Sequence, residues 1–168
     1  MKKLLIIGSG GAGKSTLARR LGSMLSLEVI HLDRHFWRPG WEEPPKAAWR
    51  ARVRTLIDSE AWIMDGNYGG TFDIRFPAAD TIIDLDFGRF CCLGRVLRRR
   101  ALSRFRARPD LAEGCRERLN WAFVRWIWRF RTDSRCRIEA ACRSYGAGRT
   151  ILRFRTPREL ETWLDKIR

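Results

Sequence analysis

Eight consecutive residues, Gly8-Ser9-Gly10-Gly11-Ala12-Gly13-Lys14-Ser15, restrict what this chain can become more than any other stretch. They follow a short apolar run, Lys3 to Ile7, of the kind that forms a central strand buried on both faces. They precede Ser15 to Leu25, where Leu17, Leu21 and Met24 or Leu25 recur at helical spacing with Arg19 and Arg20 on the outer side. The run matches the pattern G-x-x-x-x-G-K-[ST], and a strand before it with a helix after it is the context that gives the pattern meaning. Small side chains let successive backbone N–H groups point inward at an anion, and the positive end of the helix adds to that field. The motif predicts a polyphosphate cradle built from Gly8, Ser9, Gly10, Gly11, Ala12 and Gly13. Lys14 is expected to bridge the β- and γ-phosphates, Ser15 to ligate Mg²⁺, and Thr16 to contact the α-phosphate.

The rest of the chain alternates strands with helices. Glu28 to Leu32 reads as a second strand ending in Asp33, followed by a loop or small lobe opened by Pro39, Gly40, Pro44 and Pro45. Lys46 to Ser59 reads as a helix with Trp49, Val53, Leu56 and Ile57 on one side, and Ala61 to Met64 as a strand running into the turn Asp65-Gly66-Asn67-Tyr68-Gly69-Gly70. Thr81 to Leu85 is another apolar strand, 89 to 102 reads as helical, and an arginine-aromatic helix is expected from Glu117 to about Arg143. Thr150 to Phe154 is a last strand, and Pro157 opens a final helix at the first-turn position that proline tolerates. Such alternation implies βαβ crossovers and an α/β fold with about five parallel strands, covered on both faces.

A phosphate loop needs a carboxylate near the metal's water shell, at the end of a strand beside the loop strand. Asp65 is the candidate, since Trp62-Ile63-Met64 leads into it; Asp84 and Asp86 also end an apolar strand but have no glycine turn open to a substrate. Asp33 closes the second strand at the sheet edge where open α/β proteins place ligands, and a carboxylate there can accept the proton of an attacking hydroxyl. His31 and His35 flank it and read as structural.

Composition sharpens the picture in one segment. The 168 residues carry a formal charge of +15, and residues 89 to 137 hold fifteen arginines, no lysine and four acids. Arginine's planar fork suits phosphate oxygens, whether of a polyphosphate or of a nucleic acid. Phosphoryl transfer spreads negative charge that an arginine lid can neutralise. Arg95 and Arg99, one helical turn apart, can reach the same ligand, with Arg129, Arg131 and Arg135 closing from the other side. The pattern Trp121 to Phe130 can stack on single-stranded bases, but packing of its aromatics against the core is the expectation carried forward. The five cysteines form no CxxC pair and read as reduced and structural. No run reaches the ~18 apolar residues of a membrane span, and no signal peptide is recognisable, so a soluble cytoplasmic protein is expected.

Taken together the motifs resemble the P-loop kinases related to adenylate and shikimate kinase, and more closely a bacterial group labelled DNA topology modulation proteins. The likeness spans nearly the whole chain, through GSGGAGKST, HLDRHFWRPGW, DGNYGGTFDIR, RPDLAEGC with the following WAFVRWIWRF, and RFRTPREL. It implies a three-layer fold with strand order 2-3-1-4-5, a substrate lobe at residues 34 to 60 and a lid at about 103 to 137. The adenylate kinase turn D-G-F-P-R is matched only in Asp65-Gly66; Asn67-Tyr68 replace the rest, and Arg75 is the arginine available in place of the missing phosphate binder. The resemblance also aligns Asp33 with the residue that binds or activates the acceptor hydroxyl, Arg95 and Arg99 with lid-helix arginines, and Thr156-Pro157 with the adenine-side contact.

The expected activity is transfer of a phosphoryl group from ATP or GTP, with Mg²⁺, to a small-molecule acceptor touched by Asp33, Trp37, Trp41, Asn67, Tyr68 and Arg75. Lys14, Asp33, Arg95, Arg99 and Arg131 are the candidate catalytic residues. A nucleotide-dependent nucleic-acid-binding regulator and a simple NTPase are the alternatives, and a monomer or homodimer in one domain is anticipated.

Overall fold

The structure, a computed structural model, describes residues 1–102 and 121–167. Five parallel strands form one sheet in the order β2-β3-β1-β4-β5, with β1 at Lys3–Gly8, β2 at Val29–His31, β3 at Trp62–Asp65, β4 at Thr81–Leu85 and β5 at Thr150–Phe154. The helices are α1 at Lys14–Leu25, α2 at Leu32–Phe36, α3 at Lys46–Ile57, α4 at Phe72–Ala78, α5 at Arg89–Leu102, α6 at Trp121–Asp133, α7 at Arg135–Tyr145 and α8 at Pro157–Lys166. The expected α/β class and strand order are those observed.

Alternation along β1 divides the core between two layers, because successive side chains of a strand leave opposite faces. Leu4 and Ile6 pack with residues of α1, α5 and α8 on one side. Leu5 and Ile7 pack on the other with Trp49, Phe76, Phe130 and Ile138, from α3, α4, α6 and α7. Every one of these β1 side chains is fully buried, each contributing about 1.5–3 kcal/mol of hydrophobic stabilisation. The centre of the sheet, with the loop that leaves it, is the best anchored part of the molecule.

Three elements differ from expectation. Asp33 lies in the first turn of the short helix α2 rather than at the end of β2. Helix α4, with Pro77 inside its last turn, was not foreseen; its short apolar face (Phe72, Phe76) is built around a proline that reads as a breaker in sequence. The long arginine-aromatic helix is broken near Ser134 into α6 and α7. There the Thr132 hydroxyl, with one proton to give, lies 2.8 Å from the Arg129 carbonyl and 2.9 Å from the Asp133 carboxylate, and such local side-chain bonds compete with helix continuation. The portion of this helix before Trp121, and lid residues 103–120, lie outside the described residues.

The aromatics of α6 pack against the core only in part. Ile127 and Phe130 enter the core, whereas Trp121, Trp126 and Trp128 remain exposed. The arginine content of the helix explains this: with Arg125, Arg129 and Arg131 interleaved, only one narrow stripe of α6 is free of charge and can face the sheet.

Candidate functional site: the phosphate loop and the strand ends beside it

The loop between β1 and α1 sits at the carboxyl ends of the central strands, where β1 is flanked by β3 on one side and β4 on the other. This is the crevice in which open α/β sheets bind ligands. Gly11 adopts φ 79°, and a Cβ there would meet the Cys92 carbonyl oxygen at 2.3 Å, so the loop lies directly against the first turn of α5. At Gly10 an added Cβ would lie 2.8 Å from the Trp126 ring. Helix α6 therefore rests on the crest of the loop, and a side chain at Gly10 would have to displace the Trp126 ring.

Polar contacts complete the frame. Asn67 holds the start of the loop on both sides: the Gly8 N–H donates to its amide oxygen at 3.0 Å and its amide N–H donates to the Gly8 carbonyl at 2.7 Å. The Lys14 ammonium donates to the carbonyls of Gly8 at 3.0 Å and Ser9 at 3.1 Å, which draws it back over the mouth of the loop. The Arg95 guanidinium donates to the Ala12 carbonyl at 3.0 Å while lying over the Phe87 ring at 5.3 Å. Ser15 is half-buried in the first turn of α1 and Thr16 is exposed on it. Arg99 is half-buried one turn beyond Arg95. Asn67, Lys14 and Arg95 together fix the backbone of the loop.

Asn67 was expected to face an acceptor, yet both ends of its amide are engaged with Gly8. Asn67→Ala is expected to weaken Mg-ATP binding roughly five- to thirtyfold, from about 1–2 kcal/mol for the two hydrogen bonds lost. Calorimetry checks this, and an unaltered affinity would separate Asn67 from the shape of the loop.

Asp65 ends β3 opposite Ile6 of β1 and His31 of β2. Its carboxylate is buried and lies 2.6 Å from Nδ1 of His31. Sequence reading left His31 as structural; the parallel register of β2 and β3 instead makes it the immediate partner of the candidate metal-side carboxylate. The one signal was its position at a strand end level with Asp65. Among the described residues no group of three His, Cys, Asp or Glu side chains can cage a metal. Mg²⁺ bound to a nucleotide needs none, because phosphates and water fill most of its coordination sphere. One hydroxyl, Ser15, and one carboxylate, Asp65, at the edge of a preformed phosphate cradle fit that requirement.

Asp33 accepts a 2.5 Å hydrogen bond from the Tyr68 hydroxyl. Burial, and then the Asp33 carboxylate, push the Tyr68 phenol well above its ordinary value, so it stays a donor and Asp33 stays an acceptor. Around the pair, Phe36 lies 4.6 Å from the Tyr68 ring, 4.8 Å from Trp37 and 5.0 Å from Trp49, and Trp37 lies 5.2 Å from Trp41. The lobe and the Asp65 to Gly70 turn are thus joined by one aromatic cluster that borders Asp33. His35 is pushed below its ordinary pKa by burial and by Arg52 and Arg34.

Arg75 is the clearest correction. Expected to contact an acceptor, it is wholly buried, and its guanidinium donates to the Thr71 hydroxyl at 2.9 Å, to the carbonyls of Gly66 at 2.9 Å and Tyr68 at 3.0 Å, and to the Asn67 carbonyl. Burial lowers its pKa to about 9, which leaves it protonated at neutral pH, and the carbonyl oxygens take up its charge. It builds the turn and does not face a ligand.

The lid arginines divide in the same way. Arg131 lies 3.3 Å from Asp86, Arg135 2.8 Å from Asp84, and Arg129 3.1 Å from Asp133. Burial pushes the Asp84 carboxyl above its ordinary value, against the pull of Arg135 and Arg153. Asp84 and Asp86 thereby tie α6, α7 and β5 to the end of β4; Arg135 is nearly buried in this arrangement, whereas Arg131 stays about half exposed. Thr156 caps α8 by accepting from the Glu159 N–H at 3.2 Å, with Pro157 following it, at the same edge of the sheet as the loop.

Neither a family model nor a curated protein matches this sequence. Solved structures do. A shikimate kinase from Acinetobacter baumannii, in complex with shikimate, is similar at a TM-score of 0.58 and 15% identity over 99% of this chain and 92% of its own. The chain has the P-loop kinase fold. A deoxyadenosine kinase from M. mycoides with bound dATP gives a TM-score of 0.47 at 12% identity, over 98% of each chain. No helix among the described residues is long and apolar enough to cross a membrane.

Proposed function

We propose that the protein is a P-loop kinase that transfers the γ-phosphoryl group of ATP, or GTP, to a hydroxyl or phosphate of a small-molecule acceptor. The observation that carries this reading is the pairing of a phosphate loop with a second carboxylate, Asp33, which follows β2 at the same carboxyl edge of the sheet and is held by Tyr68. A nucleotide-binding switch needs the first and has no use for the second. The loop amides and Lys14 hold the β- and γ-phosphates, with Arg95 and Arg99 alongside. Mg²⁺, carried by Ser15 with Asp65 at its water shell, supplies charge neutralisation when bound.

For a hydroxyl acceptor, Asp33 takes the proton as the acceptor oxygen bonds to the γ-phosphorus. The bond to the β–γ bridging oxygen breaks, and the nucleoside diphosphate leaves. Tyr68 fixes the Asp33 carboxylate, and Trp37 and Trp41 border the acceptor side. Thr156 and Pro157 stand on the nucleotide-base side in this assignment, and residues 34 to 60 and 103 to 137 act as substrate lobe and lid. The segments at 31–41 and 65–75 support membership of the bacterial group labelled DNA topology modulation proteins, a label that names a cellular effect and no chemistry.

Asp33→Asn keeps the shape and loses the base. It is expected to bind Mg-ATP as the parent does and to lose roughly 10²–10⁴-fold in transfer. The test is a screen of phosphoryl transfer from labelled ATP to nucleosides, nucleotides, polyols and cyclic alcohols, repeated with this variant on any acceptor found. Full turnover by Asp33→Asn excludes it as base, and an ATP consumption that no acceptor accelerates excludes the kinase reading.

A further inference from the structure

Helices α5 and α6 leave outside the core a set of side chains that the phosphate site does not use. Phe90 is 76% exposed, Leu97 56%, Trp121 78% and Trp128 44%. Phe90 meets the edge of the Trp128 ring at 5.6 Å with the planes at 90°, and the Arg89 guanidinium lies over the Trp128 ring at 4.8 Å. Leu97 follows Phe90 by seven residues and Trp121 precedes Trp128 by seven, so each helix repeats an exposed apolar residue after two turns, about 10 Å along its axis. Burying aromatic surface is worth so much that three exposed members in one strip point to a partner.

The charge beside the strip identifies the partner's chemistry. Helix α5 has no acidic residue, and the single acid of α6, Asp133, is matched by Arg129 at 3.1 Å. Arg98 and Arg125 are exposed, Arg125 lying between Trp121 and Trp128 on the same side of α6, four residues after the first and three before the second. A surface that alternates accessible aromatic rings with guanidinium groups fits a polyanion that carries flat rings of its own. An anionic membrane is fitted less well, because its apolar layer favours a continuous stripe and arginine interrupts this one.

We infer that the outer face of α5 and α6 binds single-stranded nucleic acid, with bases stacking on Trp121 and on the Phe90–Trp128 pair and arginines tracking the phosphates. This inference stands apart from the kinase reading, which assigns no role to any of these side chains.

The test is fluorescence anisotropy of the full chain with labelled oligothymidylate and oligouridylate of roughly 16 nucleotides across a salt series, beside duplex DNA of equal length. Binding to the single strands is expected to exceed binding to duplex. Trp121→Ala and Trp128→Ala are each expected to weaken it about tenfold at fixed salt, and Arg125→Gln to reduce the salt slope by about one. Trp121→Ala, the more exposed site, is read first, and its melting temperature confirms folding. Lys14→Ala is expected to bind the oligonucleotides as the parent does. The inference is overturned by absent binding, by equal binding to duplex, or by tryptophan variants that bind like the parent, which would reduce the interaction to charge alone. It is equally overturned if phosphatidylserine vesicles compete better than oligonucleotide, or if sedimentation shows that the tryptophan variants split a dimer of this chain.

Discussion

Lys14→Ala is expected to remove phosphoryl transfer and, with it, the stabilisation that magnesium and ATP confer on the fold. A ligand at about a hundred times its dissociation constant stabilises a protein by about 2.7 kcal/mol. For a chain of this size that raises the melting temperature by roughly 5–10 °C. The variant is expected to gain little at the same concentration, because within the loop the amides present dipoles and Lys14 carries the one full charge. Without ligand its melting is expected to fall only modestly, by the two part-buried hydrogen bonds lost at the carbonyls of Gly8 and Ser9. Differential scanning fluorimetry with and without Mg-ATP measures both arms. Undiminished stabilisation of the variant would remove the phosphate-loop assignment.

Arg75→Met is expected to cost the fold about 3–5 kcal/mol, and so to lower the melting temperature by roughly 6–20 °C. The substitution keeps much of the volume and strips four hydrogen bonds, two of them buried, to the Thr71 hydroxyl and the Gly66 carbonyl, and two part-buried, to the carbonyls of Asn67 and Tyr68. Arg75→Lys should recover little, because an ammonium has no fork with which to span three carbonyls at once. Denaturant titration measures the loss. A variant with parental stability but a sharply raised acceptor KM would show that Arg75 reaches the substrate after all.

These two residues show where sequence reasoning succeeds and where it stops. The place of Lys14 at the start of α1 is legible because it follows from neighbours in the chain: glycines, a strand before and a helix after. Arg75 was misjudged because its surroundings are assembled from Gly66 to Thr71, and the carbonyls that surround it have no signature of residue type. The same limit applies to His31, whose meaning depends on the register between β2 and β3. It applies to Arg131 and Arg135 as well: in sequence they belong to an arginine-rich segment fit for a lid, and in space they neutralise two aspartates at the end of β4.

What the sequence alone determined is what local pattern encodes: the phosphate loop, five strands from their short apolar runs, the parallel α/β class from their alternation with helices, and Asp33 and Asp65 near the sheet's carboxyl edge. Only the tertiary structure decided which polar side chains are consumed by the protein itself. It turned Asn67 toward Gly8, enclosed Arg75 in a turn, joined His31 to Asp65, and left Trp121 and Trp128 exposed while Phe130 entered the core. The physical reason is that a side chain's role depends on which partners saturate its hydrogen bonds and which surfaces exclude its water. Those partners lie a few residues away for Arg75 and far along the chain for Asn67 and His31.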